Sequence, residues 1–124
     1  MRKHINSEKG AAMVEFAIIL PVLLLLVFGI IEFGRAYNTQ LTLTHAAREG
    51  VRTYAITQDA AQGQATAEIA ATTLDPAQMT FTITPCVIGS PTSVAIEYPF
   101  QLFIPFFPST PITITSEGVM KCGG

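Results

Sequence analysis

One stretch of the chain leaves little freedom in how it can fold. AAMVEFAIILPVLLLLVFGII, residues 11–31, holds 18 apolar residues out of 21. About 20 such residues are what a helix needs to cross the hydrocarbon layer of a bilayer. In lipid the segment has to be helical, because a helix satisfies its own backbone polar groups there. The rest of the 124 residues has room for one small domain and no second core. Only 13% of the chain is charged and the net charge is −2, which excludes a strongly basic nucleic-acid binder. A mean hydropathy of +0.43 excludes a disordered polar chain.

The few charges are sorted along the chain. Arg2, Lys3 and Lys9 precede the apolar run, and Arg35, Arg48 and Arg52 follow it. From Thr53 to Met120 there is no Lys or Arg, only Asp59, Glu68, Asp75, Glu97 and Glu117. Beyond the run, Glu32 and Arg35 cancel, so the basic flank is the N-terminal one. The positive-inside rule then puts residues 1–10 in the cytoplasm and the remainder outside it. A cleaved secretory signal is a poor alternative. The run exceeds the usual 7–15 residues, no A-x-A-like site follows it, and Ala36 sits in the charged context of Glu32 and Arg35.

Helical periodicity continues past the run. Tyr37, Leu41, Thr44, Ala47, Val51 and Tyr54 form one stripe, and Glu32/Arg35 and Glu49/Arg52 are opposite charges at i, i+3. The pattern predicts one helix from about Ala11 to about Ala55, roughly 65 Å long, with Pro21 as a point of bending. A second helix is expected over about Asp59–Thr73. Asp59 and Gln62 resemble a capping box, and Asp75-Pro76 stops the helix. Ala60, Gly63, Ala67, Ala70 and Leu74 give it a narrow face of small residues for close packing on the long helix.

After Pro76 the period becomes two. Met79/Phe81/Ile83, Val94/Ile96/Tyr98/Phe100 and Ile112/Ile114 alternate with mostly polar residues, which predicts three half-buried antiparallel strands. Gly89-Ser90-Pro91 marks a turn between the first two. In FIPFFPSTP, between the last two, three prolines forbid regular pairing. The fold class is therefore α+β: a long N-terminal transmembrane helix extending outside the membrane, a short second helix, and a small antiparallel sheet of about three strands. The divisions are a cytoplasmic basic leader (1–10), the transmembrane helix (11–33), its extracytoplasmic continuation (34–56) and a small head (57–124).

Glu15 is the residue most in need of explanation. A carboxylate in a membrane helix costs about 2.5–3.5 kcal/mol at the bilayer centre and less near the interface. Snorkelling to the cytoplasmic head groups lowers that cost. So does a cation from another subunit. If the chain is cut after Gly10, Ala11 becomes a free α-amine and Glu15 the fifth residue. A neighbouring subunit's terminal ammonium then neutralises Glu15 in lipid, which links cleavage to assembly.

Gly10 followed by Glu15-Phe16, between a basic leader and an apolar helix, resembles a type IV prepilin processing site. The longer stretch EFAIILPVLLLLVFGIIEFGRAYNTQLTLTHAAREGVR resembles the TadE-like proteins, pilin-like minor components of the tight-adherence (Flp) pilus system. The resemblance is strong over about residues 10–53 and loose over the tail. It implies processing by a prepilin peptidase between Gly10 and Ala11, Glu15 as the assembly carboxylate with Phe16 as its motif neighbour, and a role in pilus assembly rather than catalysis. It also implies other pilin-like subunits and inner-membrane assembly proteins as partners.

Cys86 and Cys122 are the only cysteines. Outside the cytoplasm an even pair points to a disulfide, closing a loop of about 36 residues. The first and third strands of a three-strand meander lie about 10 Å apart, too far for a bridge within the sheet. Either the chain ends converge beyond the sheet, or those two strands are adjacent. Glu32 and Arg35 at the outer boundary read as an interfacial pair on one helix or as an ion pair between subunits. Arg48, Glu49 and Arg52 read as a solvated face or as a docking face for a partner helix.

His4 and His45 are isolated histidines, and a single i, i+4 pair such as His45/Glu49 does not make a metal site, so no metal and no cofactor is expected. No nucleotide-binding or nucleophile-elbow pattern occurs, and no base is placed to activate a Ser or Thr. The run Leu102–Pro108 is strongly apolar for a loop: either it folds over the core or it touches membrane or a partner. The expected protein is a single-pass inner-membrane, pilin-like assembly protein with its N-terminus inside and its head periplasmic or extracellular. It binds no nucleic acid and no small-molecule substrate. The alternative is an uncleaved, signal-anchored accessory protein of a secretion apparatus.

Overall fold

In the computed structural model, which describes the backbone of residues 2–124 and the side chains from Glu8 onward, the apolar run lies inside a much longer helix. Helix α1 spans Arg2–Thr57, 56 residues, or about 84 Å at 1.5 Å per residue. It starts in the leader, well before the expected Ala11. Gly10 costs about 1 kcal/mol in a helix interior and does not stop one. The side chains of Arg2 and Lys3, on which the orientation rule partly draws, and that of His4 lie outside the described residues. The helix runs through Pro21, whose ring removes the hydrogen bond to the Ala17 carbonyl. From Glu8 on, its most apolar window has a mean hydropathy of 2.9 and none of that window is buried in the protein. α1 ends at Gln58 in a left-handed turn (φ 57°), whose N–H donates to the Tyr54 carbonyl at 2.8 Å.

Helix α2 spans Ala60–Ala70, three residues short of the expected end, because Ala71 leaves helical geometry at φ −93°, ψ 56°. Asp59 caps it by accepting from the Ala61 N–H at 3.0 Å. The reciprocal half of a capping box is replaced: the Asp59 N–H donates to Thr57 Oγ1 at 3.3 Å. The face of small residues works as expected at its centre, where Gly63 and Ala67 are buried. A Cβ on Gly63 would fall 2.8 Å from Tyr54 Cβ and 3.0 Å from the Gly50 carbonyl oxygen. Only glycine allows that approach of α2 to α1. Ala60 stays exposed.

After a short 3-10 turn at Pro76–Gln78 come β1 (Thr80–Ile83), β2 (Pro91–Leu102) and β3 (Thr110–Lys121). They form an antiparallel sheet in the order β1-β2-β3. The register sets Phe81 opposite Ile96, Ile96 opposite Ser116 and Val94 opposite Gly118. Even-numbered β2 residues therefore face α1, while Glu97 and Gln101 face outward. One pairing departs from expectation: Pro111 lies within β3, opposite Gln101. β3 is an edge strand, where a missing N–H is tolerated. Pro99 sits in β2 just past the end of β1, in the part of that strand with a free edge.

The sheet lies along the far half of α1. Leu43, Ala46, Ala47, Val51 and Tyr54 pack with Ala67, Val94, Ile96 and Ile114 in one core. Fully buried Leu43, Val51, Val94 and Ile96 each contribute about 1.5–3 kcal/mol of transfer free energy. The expected stripe is correct from Thr44 to Tyr54 and wrong earlier. Tyr37 and Leu41 are more than half exposed, whereas Glu32, Thr39 and Leu43 are buried. The sheet covers a face rotated from the apolar stripe, and polar groups help hold it. Gln40 Nε2 donates to the Thr115 carbonyl at 3.1 Å, and the Thr44 and Ser116 hydroxyls are 2.8 Å apart.

Candidate functional site

The residues singled out in the sequence fall into three places. The first is the N-terminal half of α1. Gly10, Ala11, Glu15 and Phe16 are all exposed, and Phe16 keeps 62% of its surface. Glu15 lies in a continuous exposed surface from Glu8 to Leu20. Among the described residues the one ion pair is Arg35–Glu32, so Glu15 has no cation there. A Cβ added at Gly10 would meet nothing within 4 Å. Glu15 is about 25 Å along the helix from Glu32, and the two carboxylates have different surroundings.

The second place is the far end of the apolar run. Glu32 is 5% exposed. Its Oε1 accepts from Arg35 Nη1 at 2.6 Å, and its Oε2 accepts from the Phe103 backbone N–H at 3.0 Å. The Arg35 guanidinium in turn lies 5.1 Å from the centre of the Phe100 ring, within cation–π reach. One turn earlier, the Phe28 and Phe103 rings meet edge to face at 6.1 Å. The expected i, i+3 pair is therefore formed, and the carboxylate also anchors the β2–β3 loop. The loop contact was not legible in the sequence. Its signal was a carboxylate at the end of an apolar run, matched by an uncharged aromatic loop 70 residues on.

That anchor is testable. Replacing Glu32 with Ala leaves the Phe103 N–H unpaired and removes a charge-assisted hydrogen bond, about 1.5–3 kcal/mol. The Phe103 amide should then exchange with solvent an order of magnitude faster or more, with little change at Val94 and Ile96 in the core. Unchanged exchange at Phe103 would mean that the loop holds its place without Glu32.

The third place is the far end of the head. Cys86 and Cys122 are bonded, with Cα atoms 5.5 Å apart. Since β1 and β3 are not neighbours, the bridge forms beyond the sheet. Cys122 N–H donates to the Ser90 carbonyl at 2.9 Å, and Cys86 N–H to the Tyr54 hydroxyl at 3.0 Å. Gly123 N–H reaches the Ala55 carbonyl at 2.9 Å, tying the knot to the end of α1.

Elsewhere, His45, Arg48 and Arg52 are exposed, and Glu49, half-buried, makes no ion pair with Arg52 among the described residues. No three His, Cys, Asp or Glu residues cluster among the described residues. A cavity of about 350 Å³ opens beside the free edge of β2, lined by Arg35, Thr39, Gln78, Tyr98 and Phe100 among others.

Fold and sites together define a helix-and-head protein. One half of its helix is bare, apolar and long enough to cross a membrane; the other half carries a disulfide-closed α+β head. The helix also carries a family match. Residues 10–52 match the family model TadE, TadE-like protein, so this segment of the chain is similar to the TadE-like family. The match begins at Gly10 and ends within α1, so it covers the helix and leaves out the head. No curated protein and no solved structure matches the chain.

Proposed function

We propose that the protein is a single-span, pilin-like subunit used in assembling a Tad-type pilus. The leader stays inside the cell, the head lies outside, and a prepilin peptidase cuts between Gly10 and Ala11. The observation that carries this reading is Glu15. It is an exposed carboxylate in a bare apolar half-helix, within the segment that matches the TadE-like family. A lone protein gains nothing from it, because lipid penalises it. In an assembly, the α-amine of a neighbouring Ala11 offsets that penalty and sets the helix register. The partners are other pilin-like subunits, the peptidase and inner-membrane assembly proteins. No catalytic step is assigned to the chain itself.

The test is Glu15→Val, with processing and assembly followed separately. The expected result is normal cleavage, seen as a mature mass starting at Ala11, with loss of assembled pili. Unchanged pili would remove Glu15 from the mechanism. One observation favours a second reading: α1 runs unbroken through Gly10. In that reading the leader stays attached and the protein is a permanent anchor with the head as an interaction module. An intact mass retaining residues 1–10 in cells that make pili would select it.

A further inference from the structure

The loop joining β2 to β3 displays apolar surface where a soluble loop would hide it. Phe103 is 58% exposed, Phe106 77% and Phe107 62%. Phe106 also has φ 71°, a left-handed conformation that costs a bulky residue about 1–3 kcal/mol. A turn with no further task is better served there by Gly or Asn. Here a strained position is given to a phenyl ring that contributes nothing to the core.

The loop's place in the fold identifies what the rings meet. β2 runs towards the apolar half of α1 and β3 runs away from it, so their connection is the part of the head nearest the span. Phe103 touches Phe28, three residues inside the end of the apolar run at Ile31, or about 4.5 Å down the helix axis. Further along α1 towards the head, Phe33 and Tyr37 stack with centroids 6.4 Å apart, and both are exposed.

The loop's backbone suits a half-dry setting. Pro105 and Pro108 have no N–H. Phe103 N–H is held by Glu32, and Phe107 N–H donates to the Ile104 carbonyl at 3.2 Å. No charge lies between Leu102 and Lys121 except Glu117.

We propose that Phe103, Phe106 and Phe107 form a wedge seated in the phospholipid head-group region of the outer leaflet, beside the span. Aromatic side chains concentrate at that depth. With the span as one support and the wedge as a second, the head stands at a fixed height and tilt on the membrane. Glu32 holds the wedge to the helix, and Arg35 lies level with the lipid phosphates. The proposal rests on the reading that α1 crosses a bilayer.

The chain has no Trp, so one inserted Trp is a clean reporter. Phe106→Trp, Leu24→Trp and Ile88→Trp are each made in the full chain. They are reconstituted in phosphatidylcholine–phosphatidylglycerol vesicles whose acyl chains are brominated either near the head group or near the bilayer centre. The expected result is loss of Phe106→Trp emission mainly to the shallow bromines, loss of Leu24→Trp emission mainly to the deep ones, and no loss at Ile88→Trp. Phe107→Trp should repeat the Phe106→Trp result and guards against a misfolded variant. If Leu24→Trp is quenched and neither loop variant is, the wedge is wrong and the span stands. If Leu24→Trp is not quenched, the span fails and the wedge fails with it. Unquenched but blue-shifted loop emission that returns to the red as protein is diluted in lipid would assign the rings to a second copy of the chain and overturn the proposal.

Discussion

A Cys86→Ser, Cys122→Ser double variant is expected to lose about 4 kcal/mol of unfolding free energy from its head. Sequence separation across the bridge is 36 residues, and the chain-entropy model assigns a loop of that size about this much. The loss is large because the head is small. Below about 80 residues a core rarely supplies more than about 3–5 kcal/mol by itself. The bridge also ends the sheet at a point where three segments meet: the Gly89–Ser90 turn, the C-terminal Cys122–Gly123, and Tyr54–Ala55 of α1. Denaturant unfolding of detergent-solubilised protein, followed by tyrosine signals from Tyr54 and Tyr98, should show a much lower midpoint for the variant. Wild-type protein treated with reductant should match it. Equal midpoints with and without the bridge would show that the other contacts of the knot hold the head closed unaided.

Fold class was legible because each element announces itself over several residues. A 21-residue apolar run, a switch of period from 3.6 to 2 after Pro76, and an even pair of cysteines leave few arrangements open. The disulfide shows where such reasoning stops. Spacing reduced the bridge to two alternatives, and the strand order β1-β2-β3 selects the one in which the ends converge beyond the sheet. That choice depends on Cys122 pairing back to Ser90, a contact between residues 32 apart that no local pattern encodes.

The helix face was half legible for a related reason. Hydrophobic periodicity predicts burial of Tyr37 and Leu41, yet the sheet covers Glu32, Thr39 and Leu43. Burial there is decided by hydrogen bonds across to β3 and to the β2–β3 loop, which a hydrophobic pattern ignores. Tyr37 and Leu41 remain exposed on α1 beyond the apolar run. At the N-terminal site the reverse holds. Gly10, Glu15 and Phe16 are exposed on α1, so the reading proposed for them rests on the sequence and not on their packing.

Gly118→Ala should be the most damaging single-methyl change in the head. The structure brings β3 so close to α1 at this point that a Cβ on residue 118 would lie 2.6 Å from the Ala47 carbonyl oxygen, 2.8 Å from the Ala47 carbonyl carbon and 3.0 Å from the Arg48 nitrogen. All three are backbone atoms, so no side chain can swing aside; the helix and the sheet must separate. Overpacking of this kind costs about 3 kcal/mol, enough to lower the melting temperature by more than about 10 °C in a head of this size. Gly34→Ala is the matched control. Nothing lies within 4 Å of its added methyl, and alanine is the better helix former. Equal melting temperatures for the two variants would refute the close contact. The strand TITSEGVMK carries the clue, since a glycine inside a strand marks either a bulge or another backbone pressed against it. The contact also sets the angle between sheet and helix. Because the Phe103–Phe107 loop grows from the near end of that sheet, forcing α1 and β3 apart at Gly118 should also shift the loop relative to Glu32 and Phe28.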